Sequence, residues 1–379
     1  MRPTVGDFVT WSTAFAAVSS FYGHTAFGVP SSLSTPISAT VIAGGLGVLA
    51  LLGLVGRHIP RVSGASRQMS VICLATALGL FSLSQCAGFY RHGMVFNDWG
   101  LFAVEAGLPI LLLLNPRRLQ LLFAMATFCV VFGLLDLVAN LISIASIANI
   151  AKHVGKAGSA SYGIHYLGLS GNSDAEGLIA FVGATFIAAW RGGRHRDVAF
   201  RGTIVVALLG SLVLIGARRY LGMAIVAAPL LWVRGASRLP LPLVVVAFAG
   251  AFLTATFTAE YSDSNNHLRA ELMAAGASDA LHHPILGAGV AYRNSTDLEA
   301  VFDQLRGIGV TESGVLDLAV AYGMPAAAVF LLSSLFALGA RRERNTFPVV
   351  LLAMFTAELA FGDDLTGFPG AILFYTCLI

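Results

Sequence analysis

Arg218, Arg219, Arg269 and Arg306 are the residues whose type and placement point to chemistry. The first two stand side by side in LIGARRYLGMAIVAA, Arg269 lies in HLRAELMAAGASDAL, and Arg306 lies in STDLEAVFDQLRG. A guanidinium is always charged and presents a planar fork of donors, so it grips a phosphate or diphosphate through paired, charge-assisted hydrogen bonds. Glu312, in VTESGVLDLAVAYG, adds a carboxylate suited to taking a proton from an attacking hydroxyl. Transfer of a group from a lipid-linked diphosphate needs both parts: a base at the nucleophile and positive charge where the leaving group departs. Glu312 also has a purely electrostatic account, because an acid near a helix N-terminus is stabilised by the helix dipole.

The elements that position these residues are membrane spans. The chain has 379 residues, 56% hydrophobic and 11% charged, with a mean hydropathy of +0.78, which is too apolar for a water-soluble fold. Apolar stretches at roughly 7–23, 37–56, 69–90, 99–115, 119–140, 177–190, 200–216, 220–233, 240–258, 314–338, 346–361 and 365–379 predict an all-α polytopic bundle of about twelve spans. The first stretch lacks a small-residue cleavage site and reads as a span rather than a leader. We therefore expect one polytopic domain over 1–379, with a large extracytoplasmic loop at 259–313 that contains short helices.

Orientation follows from the basic loops, because segments flanked by Lys and Arg stay cytoplasmic. Arg2, Arg57, Arg61, Arg67, Arg117, Arg118, Arg191, Arg194, Arg196, Arg201, Arg234, Arg238, Arg341, Arg342 and Arg344 fall in alternate short connections. Both termini are then cytoplasmic, and Arg91, Lys152, Lys156, Arg218, Arg219, Arg269, Arg293 and Arg306 lie outside. Arginine toward the hydrocarbon costs about 2.5–3.5 kcal/mol on insertion scales and tends to face a bundle interior or a watery cavity. A bound anion offsets that cost; snorkelling to headgroups or pairing with an acid also does.

Two long connections are extracytoplasmic in this scheme, about 150–176 and 259–313, and long ordered loops are often functional. The first reads SYGIHYLGLSGNSDAEG, where His165 and Asn172 can hydrogen-bond sugar hydroxyls; a solvated turn is the alternative. The second has good helix formers in HLRAELMAAGASDAL before Pro284 stops it, and capping-box spacing of Thr296 and Glu299 predicts a further short helix. Glu105, Asp136, Asp317 and Glu358 fall inside spans and read first as satisfied contacts within the bundle, with Asp317 on the helix that Glu312 opens and placed to orient the site. Asp363 and Asp364, beside the last span near the outer face, read first as a solvated turn, with contact to acceptor sugar as the alternative.

Several classes drop out. No basic, aromatic-interleaved patch suggests nucleic acid. Cys73, Cys86, Cys129 and Cys377 lie in spans and form neither a disulfide framework nor a zinc set. No P-loop, GxGxxG or HExxH occurs in a fitting context, so no metal or cofactor is expected.

The segments GARRYLGMAIVAA, HLRAELMAAGASDALHHPILGAGV and VTESGVLDLAVAYGMPAAAVFLL, in that order and on those sides of the membrane, resemble the signatures of the O-antigen ligase and polysaccharide polymerase superfamily. The resemblance covers roughly residues 165–340. It implies a bacterial inner-membrane glycosyltransferase whose periplasmic site joins repeat units carried on undecaprenyl diphosphate, without a metal and with inversion. It also implies that an arginine of the tight turn, Arg218 or Arg219, and Arg269 of the loop engage the diphosphate of the donor. Partners implied are the lipid-linked glycan donor, a glycan acceptor, the bilayer, and the chain-length regulator and flippase of such a pathway. The ligase branch carries a His where this chain reads Glu312-Ser313, which favours a polymerase for exopolysaccharide or O-antigen and leaves ligation of a finished glycan as the near alternative. A transporter or lipid-linked glycan flippase is the second alternative, disfavoured by the absence of an internal repeat.

Overall fold

A computed structural model of the chain describes residues 4–20, 22, 31–56, 64–92, 102–145, 173–190, 195–232, 240–258, 264–289, 313–340, 346–362 and 368–379. Among the described residues the regular structure is entirely helical. The helices are α1 (Val5–Ser19), α2 (Ser31–Val55), α3 (Ala65–His92), α4 (Leu108–Leu114), α5 (Arg118–Ala145), α6 (Ser173–Ala189), α7 (His195–Leu214), α8 (Arg218–Trp232), α9 (Leu241–Thr258), α10 (Ser264–His282), α11 (Gly314–Tyr322), α12 (Met324–Ala340), α13 (Phe347–Glu358) and α14 (Phe368–Leu378). A π-helical turn, Ala103–Gly107, leads into α4.

Stretches within α2, α3, α5 and α7 are long and apolar enough to cross a membrane. These four helices have 25, 28, 28 and 20 residues, roughly 30–42 Å at 1.5 Å per residue, against a hydrocarbon core of about 30 Å. Their outward faces are unsuited to water: Leu51 is 60% exposed, Leu83 61%, Ile142 65% and Val206 69%. Lipid tails cover such faces at no cost, so the chain is a helical membrane protein.

Two compact units divide the chain. The first comprises Met1–Pro60, Leu111–Arg238 and Glu343–Leu351; the second comprises Arg61–Ile110, Leu239–Arg342 and Leu352–Ile379.

In the first unit small residues set the helix crossings. A Cβ on Gly45 of α2 would sit 2.0 Å from the Thr13 hydroxyl of α1, and one on Gly183 of α6 would meet Cys129 and Val130 of α5 at 3.1–3.2 Å. Polar anchors then fix which ends meet. Arg117, just before α5, pairs with Asp7 in the first turn of α1 and donates to Thr4, and Gln120 donates to Asp7 at 2.8 Å. Arg201 in α7 donates to the Trp190 carbonyl after α6. Tyr22, beyond the C-terminal end of α1, donates to Asp136 far along α5. The helices α1 and α5 therefore run parallel, with Asp7 and Arg117 at one end and Tyr22 and Asp136 at the other.

In the second unit α3 and α12 lie antiparallel. Ser70 donates to the Ser333 carbonyl at 2.8 Å, and Ser84 donates to the carbonyls of Ala321, at 3.0 Å, and Leu286. The stretch 314–338, read from hydropathy as one span, is in fact two helices. Gly323 has φ +91°, a conformation that favours glycine, and Pro325 follows in the first turn of α12 where its missing N–H costs nothing. The break is closed by the chain itself: the N–H groups of Ala288 and Gly289 donate to Val320 and Ala321 at 2.7 and 2.9 Å, and Met324 donates to Pro284 at 3.0 Å. The stretch at 346–361 is also shorter as a helix than read, with 12 residues or roughly 18 Å, and the described helix of the last stretch has 11. The stretch at 99–115 is interrupted by the π-turn.

Candidate functional site

The turn bearing Arg218 and Arg219 is built by a helix stop. Gly216 takes φ +69°, its N–H reaches Val213 O at 3.2 Å, and the Ala217 N–H reaches Leu212 O at 3.0 Å. This pair of bonds is a Schellman motif, which ends α7 and satisfies its last carbonyls. Ala217 has no side-chain oxygen to cap α8, so Arg218 and Arg219 become the first two residues of that helix, and its first turn holds no acid. Two cations at the positive end of a helix dipole are unfavourable without an anion nearby.

The two arginines occupy different surroundings. Arg218 is exposed. Arg219 is only 6% exposed; its Nη2 donates to the Tyr220 hydroxyl at 2.9 Å and its guanidinium lies 4.8 Å from the centre of that ring. Tyr220 is fully buried and packs on the start of α6, where a Cβ on Gly177 would stand 2.3 Å from its ring.

Glu176 precedes Gly177 and is 1% exposed. The Asn140 amide of α5 donates to it at 3.4 Å, and Asp136 lies one turn earlier on α5 with Tyr22 donating to it. Tyr22, Asp136, Asn140 and Glu176 are all buried, 0–1% exposed. Asp136 therefore has the satisfied contact expected of an acid inside a bundle. Tyr22, Asn140 and Tyr220 were not singled out by the sequence. The spacing of Asp136 and Asn140, one helical turn apart in an otherwise apolar stretch, was the available signal.

In the second unit α11 starts where the TESG motif places it. Ser313 is the N-cap, accepting from the Leu316 N–H at 3.5 Å, so Glu312 precedes the cap rather than opening the helix. The first N–H groups are taken up by the end of α13: Gly314 donates to Gly362 O at 2.6 Å and Val315 to Leu359 O at 2.9 Å. Asp317 lies in the first turn and is 4% exposed. Arg269 lies on α10, whose Ala270, Leu272, Met273 and Ala280 are buried, so the loop helix is docked as an element of this unit. Glu105, in the π-turn, accepts from Tyr322 at the end of α11, and its carbonyl accepts from Tyr375 at 3.0 Å.

Of the remaining site expectations, Glu312, Arg306, His165, Asn172, Asp363 and Asp364 fall outside the described residues, as does the short helix expected near Thr296. Arg218 and Arg219 belong to the first unit; Arg269 and Asp317 belong to the second. No family model matches the chain, and no curated protein matches it.

Proposed function

We propose that the chain is a bacterial inner-membrane glycan polymerase that joins oligosaccharide repeat units carried on undecaprenyl diphosphate at the periplasmic face. The observation that carries this reading is the start of α8, where Arg218 and Arg219 follow a helix stop directly, so that Arg218 stands exposed at the N-terminal end of a helix. A diphosphate is a ligand whose charge and geometry answer an exposed guanidinium at a helix's positive end. Resemblance of the three sequence segments to the polymerase and ligase superfamily supports the same substrate class.

In the proposed reaction a sugar hydroxyl of the acceptor attacks the anomeric carbon of the donor. The new glycosidic C–O bond forms as the bond to the diphosphate oxygen breaks, Glu312 takes the hydroxyl proton, and undecaprenyl diphosphate leaves. Arg269 and an arginine of the 218–219 pair stabilise the charge that develops on the leaving group. Asp317 orients the acceptor, and His165 and Asn172 hold sugar hydroxyls. Direct displacement inverts the anomeric centre and needs no covalent intermediate. The protein reconstituted in liposomes with a lipid-linked repeat unit should lengthen it into a ladder of polymers. Glu312→Gln should slow this by a factor of about 10²–10⁴; an unchanged rate would remove Glu312 from the mechanism.

Ligation of a finished glycan uses the same chemistry and differs only in the acceptor, so the products of the liposome reaction separate the two. The discontinuous α11–α12 is the observation that favours a transporter or flippase, because transporters bind ions and substrates at broken helices. Here the groups freed at Val320, Ala321 and Met324 are occupied by 284–289 of the same chain, which argues for a structural joint.

A further inference from the structure

We propose that Arg218 and Arg219 divide the labour: Arg219 is a positioning residue held by Glu176 and Asp136 as buried counter-charges, and Arg218 alone is presented to the diphosphate. The second half of this statement rests on the function proposed above; the first half does not.

The contacts form a path through the first unit. Tyr22 donates to Asp136. Asn140, one turn further along α5, donates to Glu176 at the start of α6. Gly177, next in sequence, is in contact with Tyr220, whose hydroxyl accepts from Arg219. Every side chain on the path is 0–6% exposed. A guanidinium removed from water needs an anion and hydrogen bonds close by, because the uncompensated charge is strongly destabilising. Asp136 and Glu176 are the buried carboxylates among the described residues of this unit; Glu176 lies at the start of α6, against which the first turn of α8 packs, and Asp136 lies one turn from Asn140 on α5. Glu176 also places negative charge near the positive end of α8, where the dipole favours it.

The two adjacent arginines then do different things. Pairing fixes Arg219, its stacking on Tyr220 fixes the first turn of α8, and that turn fixes the direction in which Arg218 leaves the helix. Small-residue contact at Gly177 is part of the device, because any side chain there would push Tyr220 off α6.

A double-mutant cycle on the full-length protein in detergent tests the pairing without reference to activity. Glu176→Leu and Arg219→Leu should each lower the melting temperature by about 5 °C or more, since each strands a buried charge. The double variant should melt no lower than the worse single variant, because neither charge is then left alone. If a single variant does not accumulate, recovery of the protein in the double variant is the same result; additive losses, or a double variant worse than both, would overturn the pairing. Farnesyl diphosphate, added as a soluble probe, separates the roles. It should raise the melting temperature of the wild type and of Arg219→Lys but not that of Arg218→Ala, which should itself melt like the wild type. Loss of the probe's effect in Arg219→Lys at an unchanged melting temperature would make Arg219 the ligand contact and sink the division. If the probe has no effect on the wild type, the diphosphate reading fails and Arg218 loses its role, while the cycle still decides the pairing of Arg219.

Discussion

At the residue scale, the difference between two neighbouring arginines is the most informative feature of the structure. Their adjacency in GARRYL was legible in the sequence, and so was their cost in an apolar chain; which of them is buried was not. Burial depends on the phase of α8, and that phase is set by the Gly216 helix stop and by Tyr220 lying against Gly177. Asp136 was legible as an acid inside a span, yet its partner Tyr22 is 114 residues away, a separation that no local pattern encodes. Tyr22→Phe would leave the buried Asp136 without that donor and should cost about 1–3 kcal/mol, read as a fall in melting temperature with unchanged membrane insertion. Arg269→Ala makes the complementary prediction. Its position on a docked helix predicts normal accumulation of the protein together with loss of polymer, and polymer of wild-type length would remove Arg269 from the proposed site.

At the element scale, hydropathy located the apolar segments but misjudged their continuity. The span read over 314–338 looks unbroken because Gly323 and Met324 are both compatible with an apolar window. The joint is visible only when Gly323 is read together with Pro325, a helix stop followed by a residue that starts the next one. Its energetic weight comes from 284–289, which supplies the backbone partners for the interrupted helix. Gly287 has φ +65°, and an added Cβ would lie 2.5 Å from the Ala321 carbonyl. Gly287→Ala should therefore destabilise by about 2 kcal/mol or more, whereas Gly79→Ala, inside α3 where nothing lies within 4 Å, should not destabilise. Equal melting temperatures for these two variants would show that the joint carries no load. The loop helix was foreseen from its composition and its end at Pro284, and it extends over Ser264–His282.

At the scale of the whole molecule, a helical membrane protein was already evident from the composition, and the four long apolar helices with lipid-suited faces bear that out. Within the first unit, Asp7, Arg117 and Arg201 lie near one set of helix ends and Glu176 and Arg219 near the other. The proposed orientation predicts that a cysteine introduced at the exposed Ser278 of α10, in a background without the native cysteines, reacts with an impermeant maleimide added to intact cells whose outer membrane has been opened. Labelling only after the inner membrane is broken would reverse the topology and place Arg218 on the wrong side for a periplasmic diphosphate. The central claim, polymerisation of lipid-linked repeats, is tested most directly by gel analysis of lipid-linked glycans from a strain lacking the protein. The account predicts loss of long chains and accumulation of single repeat units, restored by the wild-type protein and not by Arg218→Ala. Accumulation of long lipid-linked chains would instead identify a ligase, and a glycan pattern unchanged by the deletion would contradict the account.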